Sequence, residues 1–254
     1  MRGAVAGLAS VFLVSLAAAQ GISDARRTGY QDMSSSLQQM EDDDTANPGM
    51  LFVQMGEKAW QAKAGSADKA CADCHTDVGM RGVAARYPAI PPKADKAVDL
   101  EDRINLCRRD NQGAEVLKPE SEELLALTAY VTFQSRGMPI EPPNDLRLRV
   151  VRAVGEKIFK TRQGQLNLSC ANCHDDNAGR KLAGATIPQA HPTGYPVYRL
   201  EWQTLGSLKR RLRGCLVGIR AEPYEFSAPE YVALEAYLME RARGLKLEGV
   251  GVRP

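Results

Sequence analysis

Histidine is scarce in this chain, with three among 254 residues, so a site that needs imidazoles must draw on most of them. An excess of one charge is missing too. Lysine and arginine number 33 against 31 aspartates and glutamates, a net charge of +2, which gives no bulk-charge case for nucleic acid or a membrane surface as partner. Strand-type alternation is rare, so the expected class is mainly α. The apolar run from Ala4 to Leu16 falls short of the ~20 residues that a membrane span needs. With Arg2 before it and Ala17-Ala18-Ala19 after it, it reads as a secretory signal, residues 1–19, cut after Ala19. That places the mature chain in the periplasm with no membrane span, a retained N-terminal anchor being the alternative.

Six cysteines are present, and four fall in two copies of one motif, Cys71-Ala72-Asp73-Cys74-His75 and Cys170-Ala171-Asn172-Cys173-His174. Two thiols at this spacing can form thioethers with the two vinyl groups of one haem, and the adjoining imidazole is then held against the iron. Two covalently bound haem c groups are therefore expected, one on Cys71 and Cys74 with His75 as axial ligand, the other on Cys170 and Cys173 with His174. Export suits this cofactor, which bacteria attach outside the cytoplasm. Zinc in its place would need two more ligands per site and leaves the histidine unexplained.

The repeat extends past the motif. Gly56-Glu57-Lys58 and Gly155-Glu156-Lys157 lie fifteen residues before Cys71 and Cys170, Trp60 matches Phe159, and Gly65 matches Gly164. Downstream, Ala126-Leu127-Thr128-Ala129-Tyr130 is echoed by Ala233-Leu234-Glu235-Ala236-Tyr237, and Gly137 by Gly244. The chain reads as two copies of one haem-binding unit. Leu51, Met55 and Ala59, with Phe52 and Trp60 beside them, and likewise Val150, Val151, Val154 and Ile158, predict a helix before each motif with these residues on its apolar stripe. Glu123 to Arg136 and Glu230 to Arg243 predict closing helices, the second opened by Ser227-Ala228-Pro229-Glu230 with capping-box spacing. Pro139, Pro142 and Pro143 mark a linker. Two tandem cytochrome c-like domains, 48–140 and 145–254, are thus expected after a polar leader, 20–47, that is solvated and partly helical or docks a partner.

Cys107 and Cys215 remain, each at the same place in its repeat and each four residues after an arginine, Arg103 or Arg211. Methionine or a second histidine is the usual distal ligand, but Met80 is too near His75, Met138 and Met239 align with Leu245 and Thr132, and His191 has no counterpart. Cysteine alone recurs where that ligand belongs, which assigns Cys107 to the first iron and Cys215 to the second. A Cys107–Cys215 disulfide is the alternative in an exported protein. Lys209, Arg210, Arg211, Arg213 and Arg220 surround Cys215, and such cations are expected to keep a sulfur as thiolate and to hold a small dianion. One helical turn before the cysteine, Arg211 is the preferred contact. Around Cys107 the charges are closer to balanced, which points to a reactive second unit.

At these residues the chain resembles the SoxA family of the SoxAX cytochromes. The resemblance covers nearly the whole mature chain and rests on Arg103-Ile104-Asn105-Leu106-Cys107, Cys170-Ala171-Asn172-Cys173-His174, Gly194-Tyr195-Pro196-Val197-Tyr198-Arg199 and Arg211-Leu212-Arg213-Gly214-Cys215. It implies an L-cysteine S-thiosulfotransferase of the dihaem type, which joins thiosulfate oxidatively to a cysteine of the carrier SoxYZ in the first step of periplasmic thiosulfate oxidation. Electrons would leave through the monohaem partner SoxX to a soluble cytochrome c. It also implies Cys215 as the active cysteine, found in the family as a persulfide, and Arg211 as the substrate residue. The rival readings are a dihaem electron carrier without a substrate, a dihaem peroxidase, and a thiosulfate dehydrogenase that forms tetrathionate. His191 reads as a loop histidine or a contact to a haem propionate or substrate, and Trp202 has no role from spacing alone.

Overall fold

Two helices that cross at a glycine make up the frame of each unit. The computed structural model describes residues 25–92 and 94–254, so the expected signal segment lies outside the described residues. Its helices in chain order are α1 (Ser35–Asp42), α2 (Met50–Gln61), α3 (Asp77–Met80), α4 (Leu100–Cys107), α5 (Glu122–Phe133), α6 (Leu146–Lys160), α7 (Cys170–His174), α8 (Leu208–Gly218) and α9 (Pro229–Arg241). The strands are short: β1 (Lys181–Leu182), β2 (Ala185–Thr186), β3 (Val197–Arg199), β4 (Thr204–Gly206) and β5 (Val252–Arg253). The mainly α class expected from the sequence is observed.

In unit one α2 packs on α5, and in unit two α6 packs on α9. A Cβ on Gly56 would strike the carbonyl oxygen of Ala126, and one on Gly155 the carbonyl oxygen of Ala233. The repeated Gly-Glu-Lys and Ala-Leu-x-Ala-Tyr segments are thus the two sides of one backbone-to-backbone contact, which only glycine permits. The buried faces carry Val53, Gly56 and Trp60 on α2, and Leu148, Gly155 and Phe159 on α6. Trp60 is buried and Phe52, Ala59 and Ile158 pack against the core as expected, but the rest of the expected stripes is corrected. Leu51 is 62% and Val150 68% exposed, and Met55 and Val154 are exposed as well. A glycine at the centre of the buried face adds nothing to hydrophobic periodicity, so the apparent stripe shifts around the helix.

The second repeated glycine turns the loop before each motif. Gly65 and Gly164 have φ of 67° and 70°, a region where a Cβ is strained. There Ala67 N–H donates to Gln112 O at 3.0 Å and Gln165 N–H to Arg220 O at 3.2 Å, tying each motif loop to the segment that follows Cys107 or Cys215.

Beyond the closing helices the units pair across a pseudo-twofold axis. Gly137 N–H donates to Leu247 O at 2.7 Å, and Gly244 N–H to Ile140 O at 2.8 Å. These are matching positions exchanging the same bond, as in an isologous interface. Ile140 is fully buried, and one apolar cluster joins unit-one residues such as Leu125 and Tyr130 to Leu205, Met239 and Leu247 of unit two. The proline-rich linker is therefore part of the junction.

The leader is partly helical, as expected, but from Arg26 onward it is strapped onto unit two rather than solvated. Arg26 donates to the carbonyls of Arg241 and Arg243, and Asn47 Nδ2 to Val250 O at 3.0 Å. Glu41, only 3% exposed, accepts from Val252 N–H and from Arg253 Nη1, both at 2.6 Å. That contact fixes β5, which runs parallel to β3 while β4 pairs antiparallel on its other side.

Gly155→Ala is expected to destabilise the fold by about 3 kcal/mol, because backbone on both sides of the clash leaves nothing to yield; urea denaturation measures it. Burial and then the neighbouring Glu248 push the Glu41 carboxyl up from 4.5 to about 7, against Arg253. The folded state then binds the proton more tightly than the unfolded one. Its contribution is complete below pH 4.5 and is lost as pH rises towards about 7. Glu41→Gln should remove that slope from a stability profile.

Candidate functional site: two thiol and histidine motifs and the unit-one cavity

Each motif forms a single tight turn, so cysteines at i and i+3 and the histidine at i+4 share a face. In unit one Ala70 N–H donates to Asp73 Oδ2 at 2.8 Å, and in unit two Ser169 N–H donates to Asn172 Oδ1 at 3.1 Å within a capping box. The variable residue inside each motif is thus its cap. Behind the turns, Trp60 lies 5.8 Å from the His75 ring and Phe159 6.5 Å from that of His174. Tyr130 and Tyr237 complete matching ring stacks at 5.6 Å and 5.3 Å. His174 Nδ1 donates to Pro188 O at 2.7 Å, which leaves Nε2 as the ring nitrogen with a lone pair to offer a metal.

In unit one Cys71, Cys74, His75 and Cys107 line one cavity of about 650 Å³, with Ile104, Leu127 and Val131 on its apolar walls and Arg86 and Arg103 at polar positions. Its size and lining suit a large, flat, mostly apolar group bearing carboxylates. Trp60 Nε1 and Gln112 Oε1, on its wall, are buried without a hydrogen-bond partner, so polar partners for such a group are in place. Met80 also lines it, from the turn just after His75. In unit two Cys170, Leu212 and Ile219 pack against the apolar cluster of Phe159, Leu216, Tyr231, Leu234 and Leu238. Haem therefore fits the residues present.

The two spare cysteines sit beside the motifs of their own units. No cysteine is joined to another, so the Cys107–Cys215 disulfide is not formed. Cys107 adds to the burial that raises the Cys71 thiol, and Cys215 adds to the burial that pushes Cys170 up to about 11. Cys107 closes α4, whereas Cys215 lies within α8 with Arg211 one turn before it.

The cation cluster expected around Cys215 is dispersed. Lys209 is buried and turned away, its Nζ 2.5 Å from Asp99 Oδ2 of unit one. Arg210 stacks over Trp202 at 4.2 Å and Arg213 over Phe226 at 4.5 Å. Consecutive helical residues point in different directions, so a basic run in sequence does not make one basic site. Arg211 remains, acting electrostatically on His174, Tyr195 and Arg199.

Tyr195 and Arg199 were not singled out from the sequence. The Tyr195 hydroxyl, raised by burial, also feels Arg211 and Cys215, as Tyr87 feels Arg103 and Cys107 in unit one. A Tyr-Pro pair twenty residues before each spare cysteine was the available signal. Arg199, lowered by burial and then by Arg211, also feels Cys215; it is held by Pro254 O and Glu201, each at 2.9 Å, and by the Trp202 ring at 5.2 Å. That gives Trp202 its role, between Arg199 and Arg210. His191 is buried and donates from Nδ1 to Arg27 O at 2.7 Å, which ties it to the leader.

Crossed terminal helices around a motif that carries two thiols and a histidine define a cytochrome c fold, the class that binds haem c covalently. The family model for the SoxA/TsdA cytochrome c domain matches residues 55–140 and 154–247. The chain is 37% identical to the L-cysteine S-thiosulfotransferase subunit SoxA of Pseudaminobacter salicylatoxidans, covering 91% of this chain and 82% of that one. It is 34% identical to SoxA of Paracoccus pantotrophus, over 91% of this chain and 80% of the other. The crystal structure of SoxXA from P. pantotrophus superposes with a TM-score of 0.86 at 33% identity, covering 90% of this chain and 87% of that one. The chain belongs to the SoxA family of L-cysteine S-thiosulfotransferase subunits.

Lys209→Met should cost about 3–5 kcal/mol in urea denaturation, because it strips the buried carboxylates of unit one of their cation; a loss below about 1 kcal/mol would mean that the pair is solvated.

Proposed function

We propose that the chain is the dihaem subunit that couples thiosulfate oxidatively to a cysteine thiol of a SoxYZ-like carrier, acting in the periplasm with a SoxX-like monohaem partner. Two haems would supply one-electron acceptors when bound; Cys71 and Cys74 would hold one covalently and Cys170 and Cys173 the other, and His75 and Cys107 in unit one and His174 and Cys215 in unit two would be the residues that bind iron. The observation that carries the reading is the grouping of Cys215, Arg211, Tyr195 and Arg199 beside the second motif. Cation positions there suit a dianion of sulfonate type, with the Arg211 guanidinium able to take two oxygens at once.

The Cys215 thiolate and the outer sulfur of thiosulfate form one sulfur–sulfur bond and release two electrons. A carrier thiolate then attacks the outer sulfur, takes the S–SO₃⁻ group, and leaves Cys215 as thiolate. Overall, a thiol and thiosulfate give the S-thiosulfonate, one proton and two electrons, the electrons leaving one at a time through the SoxX-like partner to a soluble cytochrome c. Arg199, stacked and hydrogen-bonded in place, adds positive potential without needing to move.

The test is thiosulfate-dependent turnover of the complex with its monohaem partner and a carrier thiol. Cys215→Ala is expected to abolish coupling while both covalent haems remain. Arg211→Ala should lower kcat/KM for thiosulfate roughly 100-fold, the loss of a charge-assisted bidentate contact, and Arg213→Ala should leave it unchanged. Wild-type turnover by Cys215→Ala would instead support an electron carrier, and release of free tetrathionate without the carrier would support a thiosulfate dehydrogenase.

A further inference from the structure

Where the units meet, a cavity of about 60 Å³ is lined by residues from matching repeat positions, Tyr87 and Tyr195, Glu101 and Lys209, and Thr128 and Glu235. The pairing places the cavity on the pseudo-twofold axis, with room for a small number of waters. Tyr87 and Leu100 line both this cavity and the one that holds His75 and Cys107. One layer of side chains therefore separates the junction from the unit-one site.

Charge at the junction is unbalanced. Lys209 Nζ lies 2.5 Å from Asp99 Oδ2, 3.7 Å from Asp102 Oδ1 and 3.8 Å from Glu101 Oε2. Glu235 from α9 acts on the same group, and so does Glu120, both of whose carboxylate oxygens are buried without a hydrogen-bond partner. Lys96 acts on Asp102. Asp99, Glu101, Asp102 and Glu235 thus share Lys209, with Glu120 beside Glu101 and Lys96 beside Asp102. Ionising all of them together would leave net negative charge in a poorly solvated site, so a proton is retained. Burial, then Asp99, push Glu101 up to about 8 and raise Glu235 in the same way.

We propose that this junction is a proton-binding site whose occupancy is coupled to the electron occupancy of the unit-one haem. The inference rests on the reading of unit one as a haem site. As one electron enters that site, one proton from solvent converts a carboxylate of the Glu101 and Glu235 pair to a carboxylic acid, and both leave on reoxidation. The electron is one of the two released by sulfur coupling, which also frees a proton from the carrier thiol. Because reduction adds a negative charge one side-chain layer away, it tightens proton binding. The unit-one midpoint potential must therefore fall as pH rises through the titration of the pair, which behaves as one coupled unit.

Potentiometric titration of the purified complex between about pH 6 and about pH 10 tests this. In wild type the unit-one potential is expected to fall with rising pH. Glu101→Gln with Glu235→Gln should flatten that dependence, matching wild type at the acid end and lying above it at the alkaline end. Each single variant should show part of the effect, and the exposed control Glu57→Gln should show none. Redox-difference infrared spectra should contain a protonated carboxyl band in the reduced wild type that the double variant lacks. A wild-type potential independent of pH, or a double variant that keeps the wild-type slope, would overturn the proposal. A single haem per chain in the same spectra would instead overturn the reading of unit one.

Discussion

Everything in the molecule depends on the approach of two helices to backbone contact at Gly56 and again at Gly155, where even a methyl group would collide with a carbonyl oxygen across the crossing. That contact sets the spacing between the first and last helices of each unit. It also aims Trp60 or Phe159 at the histidine of the motif. With the frame fixed, the positive-φ glycine six residues before each motif can bind the motif loop to the chain beyond Cys107 or Cys215. In unit one two thiols, an imidazole and a third thiol then line a common space.

Duplication of that unit supplies the architecture, and departures from it supply the division of labour. Both copies hold a tyrosine, an arginine and a cysteine in one electrostatic group, Tyr87 with Arg103 and Cys107, Tyr195 with Arg211 and Cys215. Only the second has Arg199, where the first has Pro91, and only there does the α-helix itself run on past the cysteine, since α4 gives way after Cys107 to a π-helical stretch, Arg108–Gln112. Asymmetry also marks the axis itself, where Glu101 meets Lys209 and Thr128 meets Glu235. A symmetric pair of like charges there would repel. The substitution of lysine on one side converts it into a partly compensated cluster that still holds more acids than bases.

The covalent motifs, the repeat, the helical class and the second pair of cysteines were legible in the sequence because spacing alone encodes them. Which face of α2 and α6 is buried was not, since the residue at the centre of the contact is a glycine and carries no hydrophobic signal. The fate of the basic run was equally hidden. Lys209, Arg210, Arg211 and Arg213 are neighbours in sequence, yet an acid of the other unit, two aromatic rings and the group around Tyr195 and Cys215 claim them separately. Such sorting depends on long-range partners. The leader is the same case, because Glu41 reads as one more acid in a polar run until β5 brings Arg253 beside it.

The proposed function requires that both motifs take haem, with Cys107 and Cys215 as further iron ligands. Intact mass together with electron paramagnetic resonance of the oxidised protein tests this most directly. The prediction is a mass increase of two haems, each with a low-spin ferric signal of thiolate type, one changing in Cys107→Ala and the other in Cys215→Ala. A single haem, or signals that neither substitution alters, would contradict it.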